Sequence, residues 1–189
     1  MKKLLAASLG LLLALGVAGT VAAQVGIEGH GLYTFEYDDD DVNTIEEFGG
    51  GAGLTWRICP YLRLDVSADY YKPKSRCAIT GEREKIRLVP VTAGLAVGSQ
   101  IWEGFSLYFG GGAGYSFNHI SESDMEAKDC YLWFAYGTLE YFLSCNLALQ
   151  AQYRYSWIRP DLKYKPADLL AKDVNFDHME ARLGLALYF

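Results

Sequence analysis

Ten ionisable residues fall at alternating positions that put them on one side of extended segments: Glu28, His30, Arg57, Arg63, Asp65, Asp69, Glu140, Arg154, Glu180 and Arg182. Gathered in a narrow enclosed space, these carboxylates, guanidiniums and one imidazole can lock into fixed ion pairs that fill the space. They can also exchange partners around Glu140 and open it. Isolated buried charges are costly, so pairing is required either way. A second foothold is His119-Ile120-Ser121, where an imidazole could act as base for a nearby hydroxyl. Gly110-Gly111-Gly112-Ala113-Gly114 has the look of a phosphate loop, but no helical pattern follows it, which removes nucleotide binding.

The elements that must position these groups are read from period two. In 181–189, Leu183, Leu185, Leu187 and Phe189 share one face and Arg182, Gly184, Ala186 and Tyr188 the other. Seven further segments alternate in the same way, at 25–37, 47–58, 62–71, 86–98, 105–117, 131–142 and 147–158, and the eighth spans 177–189. Leu62, Leu64, Val66, Ala68 and Tyr70 oppose Arg63, Asp65, Ser67 and Asp69. Each segment is long enough to cross a bilayer as a tilted strand.

Period alone does not separate a soluble sandwich from a membrane barrel. The aromatic residues do. Trp56, Phe105, Tyr141 and Phe189 lie on the apolar parity near short connections, and Phe35, Tyr70, Phe117, Trp133 and Trp157 lie on it near long ones. Between them runs an aliphatic band of Leu64, Val66, Val91, Ala93, Leu149 and Leu185, the pattern of two interfacial girdles. Connections alternate too, short at 59–61, 99–104 and 143–146, long at 38–46, 72–85, 118–130 and 159–176. Glycines 49, 51, 53, 110, 112 and 114 sit on the inward parity, where they allow sharp curvature beside bulky Phe134 and Tyr136.

The chain has 189 residues, is 51% hydrophobic and carries a net charge of −6. Lys2 and Lys3 precede an apolar run to about Val17, and Val21-Ala22-Ala23 offers a cleavage site, so 1–23 is expected to be a cleaved signal peptide and 24–189 one domain. A retained anchor is the alternative, disfavoured by the glycines in the run and by the cleavage site. An acidic chain without a basic stripe gives no support for nucleic acid. Nothing in the spacing points to a cofactor or metal; the acidic run 38–41 lacks a calcium-loop pattern.

Leu107-Tyr108-Phe109-Gly110-Gly111-Gly112-Ala113-Gly114-Tyr115, Pro90-Val91-Thr92-Ala93-Gly94-Leu95 and Tyr153-Arg154-Tyr155-Ser156-Trp157 resemble strands of the small outer-membrane barrel superfamily that includes OmpA-like, OmpX-like and OmpW-like proteins. The resemblance implies an all-β fold, an eight-stranded antiparallel up-and-down transmembrane barrel with short periplasmic turns and longer extracellular loops. It implies the bacterial outer membrane as location, with membrane lipid and lipopolysaccharide as surroundings. It also makes terminal Phe189 an assembly signal for the barrel assembly machinery. A monomer with a side-chain-filled lumen and no catalytic role follows, serving envelope integrity or surface interaction through its loops. A narrow OmpW-like channel is the first alternative. The second is a lipid A deacylase of the PagL type, which carries His-x-Ser-Asn; here Glu122 stands where the Asn belongs.

The loops are polarised. Asp38 to Asp41 with Glu46 and Glu47 make the first acidic, and Lys72, Lys74, Arg76, Arg83, Lys85 and Arg87 make the second basic. Basic residues there could meet lipopolysaccharide phosphates, or could simply be solvated. Four cysteines in an oxidising compartment allow three full pairings. Cys59 and Cys145 belong to short turns and Cys77 and Cys130 to long loops, so no bond spans the apolar band; Cys77 with Cys130 is the favoured pair.

Overall fold

Period-two alternation does become strand throughout the barrel. In the computed structural model the structure describes residues 24–35, 37–38, 42–45, 47–72, 74–77, 83–120, 125–164, 169–171 and 177–189, with side chains described outside 36–47, 73–86, 120–127 and 162–176. The expected leader, 1–23, lies outside the described residues. Eight long strands carry the fold: β1 Gln24–Thr34, β2 Glu47–Cys59, β3 Leu62–Tyr70, β4 Arg83–Trp102, β5 Phe105–Ile120, β6 Cys130–Phe142, β7 Leu147–Ile158 and β8 His178–Tyr188. Each pairs antiparallel with its chain neighbours. β1 closes on β8, from Gly26 opposite Tyr188 to Thr34 opposite Glu180. Closure leaves no free edge, so every strand finds its backbone partners within the wall.

Facing follows the parity. Leu54 is 52% exposed, whereas its neighbour Thr55 is 0% exposed. Ile27, Leu95, Val97, Leu183, Leu185 and Leu187 are likewise exposed, and Arg63, Asp69, Glu140, Arg154, Glu180 and Arg182 are buried. Apolar outside and charged inside is the reverse of a water-soluble protein, and a continuous exposed apolar wall requires hydrocarbon as its solvent. The aromatic residues assigned to the two girdles are all on the exposed side. Glycine is needed where the wall is tightest. A Cβ at Gly112 would clash with the Ala93 carbonyl oxygen and stand 2.7 Å from the Phe134 ring, which occupies the space glycine leaves.

Three strands differ from the sequence reading by more than a residue at one end or both. β1 ends at Thr34 instead of 37; Tyr37–Asp38 is a separate short strand that pairs with Val42–Ile45. β4 extends to Arg83 and Trp102, so its short turn is only Glu103-Gly104. β5 runs on to Ile120, because Ile86 to Leu88 of the longer β4 give Asn118 to Ile120 a partner. The loops also pair among themselves. Val42–Ile45 of the first lies against Lys74–Cys77 of the second, and Leu162–Tyr164 of the fourth pairs with both Leu169–Ala171 and Met125–Ala127 of the third.

The inward face is not polar along its whole length. Toward the long-loop end the lumen is closed by Leu32, Tyr71, Leu88, Leu132 and Ile158, all at most 3% exposed. This apolar lid packs with Phe134, Tyr136, Tyr108 and Ala96 into one cluster. These side chains are shielded from both water and lipid, so ordinary core chemistry prevails there.

Candidate functional site

Closure brings all ten expected lumen residues into one interior network. Near the short-turn end Glu140, fully buried, is paired to Arg57 Nη2 and accepts a hydrogen bond from the Tyr188 hydroxyl. Gln150 Nε2 donates to the same carboxylate at 3.1 Å, and Arg63 Nη1 stands 3.9 Å away. The Arg57 guanidinium lies 4.5 Å from the centre of the Phe142 ring and 4.5 Å from that of Tyr188. Such contacts replace hydration that a buried cation has lost. Arg63 is held by Asp65 at 2.8 Å, whose other partners are Tyr136 at 2.6 Å and Thr55 at 3.0 Å.

A second layer lies toward the long loops. Arg182 Nη2 contacts Glu180 at 2.6 Å and Asp69 at 2.8 Å, while Arg154 reaches Glu180 at 3.4 Å and Asp69 at 4.0 Å. Arg154 also stacks on Phe134 at 3.6 Å. His30 Nε2 lies 2.7 Å from Asp69, and its Nδ1 lies 3.6 Å from Glu28. Glu28, Asp65, Asp69, Glu140 and Glu180 outnumber the guanidiniums of Arg57, Arg63, Arg154 and Arg182 by one, and the His30 imidazole lies between two of the carboxylates.

Between the layers, a cavity lined by Glu28, His30, Gln150, Gln152, Arg182 and Gly184 measures about 10 Å³, room for one water at most. At the short-turn mouth, spaces of about 370 and 420 Å³ share Gln24, Arg57, Gln100 and Ser106. A space of about 820 Å³ is lined mainly by outward residues, Tyr33, Phe48, Leu139, Tyr153 and Leu183 among them, with Arg182 and Gln152 also on its lining. Several members of the network escaped the sequence reading: Tyr136, Tyr188, Gln150 and Thr55 bond to its carboxylates, and His178 lies 3.7 Å from Glu180 and 3.3 Å from the Tyr71 hydroxyl. Inward parity alone was the signal for them.

The other candidate sites do not assemble. His119 is exposed at the outer end of β5, on the lipid-facing parity, and Ser121 lies outside the described residues. Cys59, Cys130 and Cys145 are free thiols, and Cys130 Sγ accepts from Asn118 Nδ2 at 3.7 Å. Cys77, the partner expected for Cys130, has its side chain outside the described residues. Cys130 is level with Ser116 and Pro90 in the wall, whereas Cys77 lies past the Arg76 to Arg83 pair, farther along the same strand direction. Among the described residues no group of His, Cys, Asp and Glu could hold a metal.

Similar architectures are known. The crystal structure of the outer membrane protein OprG from Pseudomonas aeruginosa superposes with a TM-score of 0.70 at 14% identity, covering 92% of this chain and 99% of that one. Neisserial surface protein A gives 0.61 at 18% identity over 88% and 97%, and Ail, the attachment invasion locus protein of Yersinia pestis, gives 0.54 at 18% over 88% and 97%. At such identities the likeness is one of fold. A search of curated protein sequences found no match. The profile of the outer membrane protein beta-barrel domain matches residues 4–189. An apolar outer wall, an eight-strand closure and this match together place the chain in the outer membrane protein beta-barrel domain family, as a protein of the bacterial outer membrane.

Proposed function

We propose that the protein is a sealed, non-catalytic barrel that supports the outer membrane and displays its paired loops at the surface. The observation that carries this reading is the two-layer plug: each guanidinium has a carboxylate within 4.0 Å, the space between the layers holds one water at most, and an apolar lid caps the outer end. An ion would have to strip its hydration and break buried pairs to pass, a step that costs several kcal/mol per pair. Outer membrane lipid and lipopolysaccharide surround the wall, and the barrel assembly machinery reads the final strand with Phe189 at its end. Reconstitution into planar bilayers tests the reading. No steady conductance is expected at neutral pH, and large stable open channels from the unmodified protein overturn it. Overexpression is expected to leave the mass of lipid A unchanged; loss of an acyl chain would make the protein an enzyme.

A further inference from the structure

At the short-turn mouth an open cup leads down to the charged network. Its two spaces, of about 370 and 420 Å³, meet over Gln24, Arg57, Gln100 and Ser106. Volumes of this size are those of small-ligand sites. No Asp or Glu lies on either lining, whereas the amides of Gln24 and Gln100 and the hydroxyls of Ser99, Ser106 and Ser144 do. The one acid in the short turns is Glu103, which is exposed and stands off the lining.

The floor of the cup holds more cation than acid. Arg57 of β2 stands opposite Arg63 of β3, with Gln24 of β1 on the other side of Arg57. Like charges directly opposite destabilise a sheet, so the pair needs an anion. Glu140 serves both, bonded to Arg57 Nη2 and 3.9 Å from Arg63 Nη1. Its other oxygen is taken by Tyr188 and Gln150. Arg63 turns its Nε to Asp65, deeper in the lumen, but Arg57 has no second carboxylate among the described residues. Arg57 Nε and Arg63 Nη1 are both buried without a hydrogen-bond acceptor, a costly state. The rings of Phe142 and Tyr188, each centred 4.5 Å from the Arg57 guanidinium, strip part of its hydration, and its side chain remains 16% exposed toward the mouth. A partly desolvated cation makes stronger hydrogen bonds than one in open water.

We infer that this cup is a binding site for a small oxyanion, the carboxylate or phosphoryl group of a solute entering from the side of the short turns. Arg57 supplies the charge through the N–H groups that Glu140 leaves unused, and Gln24, Gln100 and Ser106 surround it as neutral donors. An acid on the lining would repel such a ligand, and none is there. The cup lies outside the lumen network, so a barrel that conducts would leave the inference standing.

Two half-buried free thiols provide the test, since Cys59 is on the lining of the cup and Cys130 is at the other end of the wall. The full chain, folded in detergent micelles, is treated separately with a methanethiosulfonate reagent carrying a sulfonate and with one carrying a trimethylammonium group. Peptide mass spectrometry follows each cysteine. The anionic-to-cationic rate ratio at Cys59, divided by that at Cys130, should be on the order of tenfold at low salt and should fall as salt is added. At fixed ionic strength, inorganic phosphate or acetate should protect Cys59 saturably, and glucose should not. Protection by phosphate assigns phosphoryl groups as ligands, and protection by acetate assigns carboxylates. Arg57→Gln should remove both the preference and the protection. If that variant loses heat-modifiable migration, Gln100→Ala with Ser106→Ala, which leaves every ion pair in place, should weaken protection roughly tenfold. Equal ratios at Cys59 and Cys130, no protection by either ion, equal protection by glucose, or undiminished protection in the folded variant overturns the inference.

Discussion

Glu140→Ala is the perturbation most directly set by the lumen geometry. The carboxylate is fully buried, pairs with Arg57, stands 3.9 Å from Arg63 and accepts from Tyr188 and Gln150. Removing one partner from a buried ion pair costs ~3 to 5 kcal/mol, mostly because the surviving charge is stranded. The structure points to the lower end. The Arg57 side chain is 16% exposed at the barrel mouth and can turn to water, and Arg63 keeps Asp65 at 2.8 Å. A loss of about 3 kcal/mol is expected, a large part of the stability of a small domain. Glu140→Gln keeps the volume and two hydrogen bonds and should lose about half as much. Adding Arg57→Ala to Glu140→Ala should restore roughly 1 to 2 kcal/mol, because the stranded cation is gone. Urea titration of the barrel in lipid vesicles reads this through tryptophan fluorescence, since Trp56, Trp102, Trp133 and Trp157 all lie on the exposed face. A loss below about 1 kcal/mol for Glu140→Ala, or strict additivity in the double variant, would show that the pair is not coupled and refute the plug.

Gly112→Ala should cost ~2 kcal/mol or more through overpacking against Phe134 and the β4 backbone, whereas Gly31→Ala, where a Cβ meets nothing within 4 Å, should be neutral or slightly stabilising; parallel urea midpoints compare them. Deleting Phe189, which is 68% exposed at the end of the chain, should prevent membrane assembly and abolish the heat-modifiable gel band, and normal assembly without it would remove its role as a signal. Non-reducing peptide mapping should find neither Cys59 nor Cys145 linked to Cys77 or Cys130, since the two sets lie at opposite ends of an apolar wall ~25 Å tall; either linkage would contradict the strand order.

The alternation of Leu62 to Tyr70 and of Leu147 to Trp157 was enough to assign faces, because successive residues of any strand point to opposite sides whatever the strand is paired with. Short and long connections were equally legible, since antiparallel neighbours need only a tight turn at one end. Both are local properties, and the sequence by itself determined them: eight strands, their facing, the girdles and the inward set of charges. Which acid holds which Arg was decided only by closure. Ser67 and Arg182 are 115 residues apart, and Asp69 and Arg182 are 113 apart, yet they meet because β1 closes on β8 in one register. The apolar lid was equally out of reach, because Leu32, Leu88, Leu132 and Ile158 have the inward parity of the charged set and become a core only when closure packs them together. Parity follows from the bond geometry of each residue, whereas register is a property of the closed sheet, fixed by the sum of contacts along every strand.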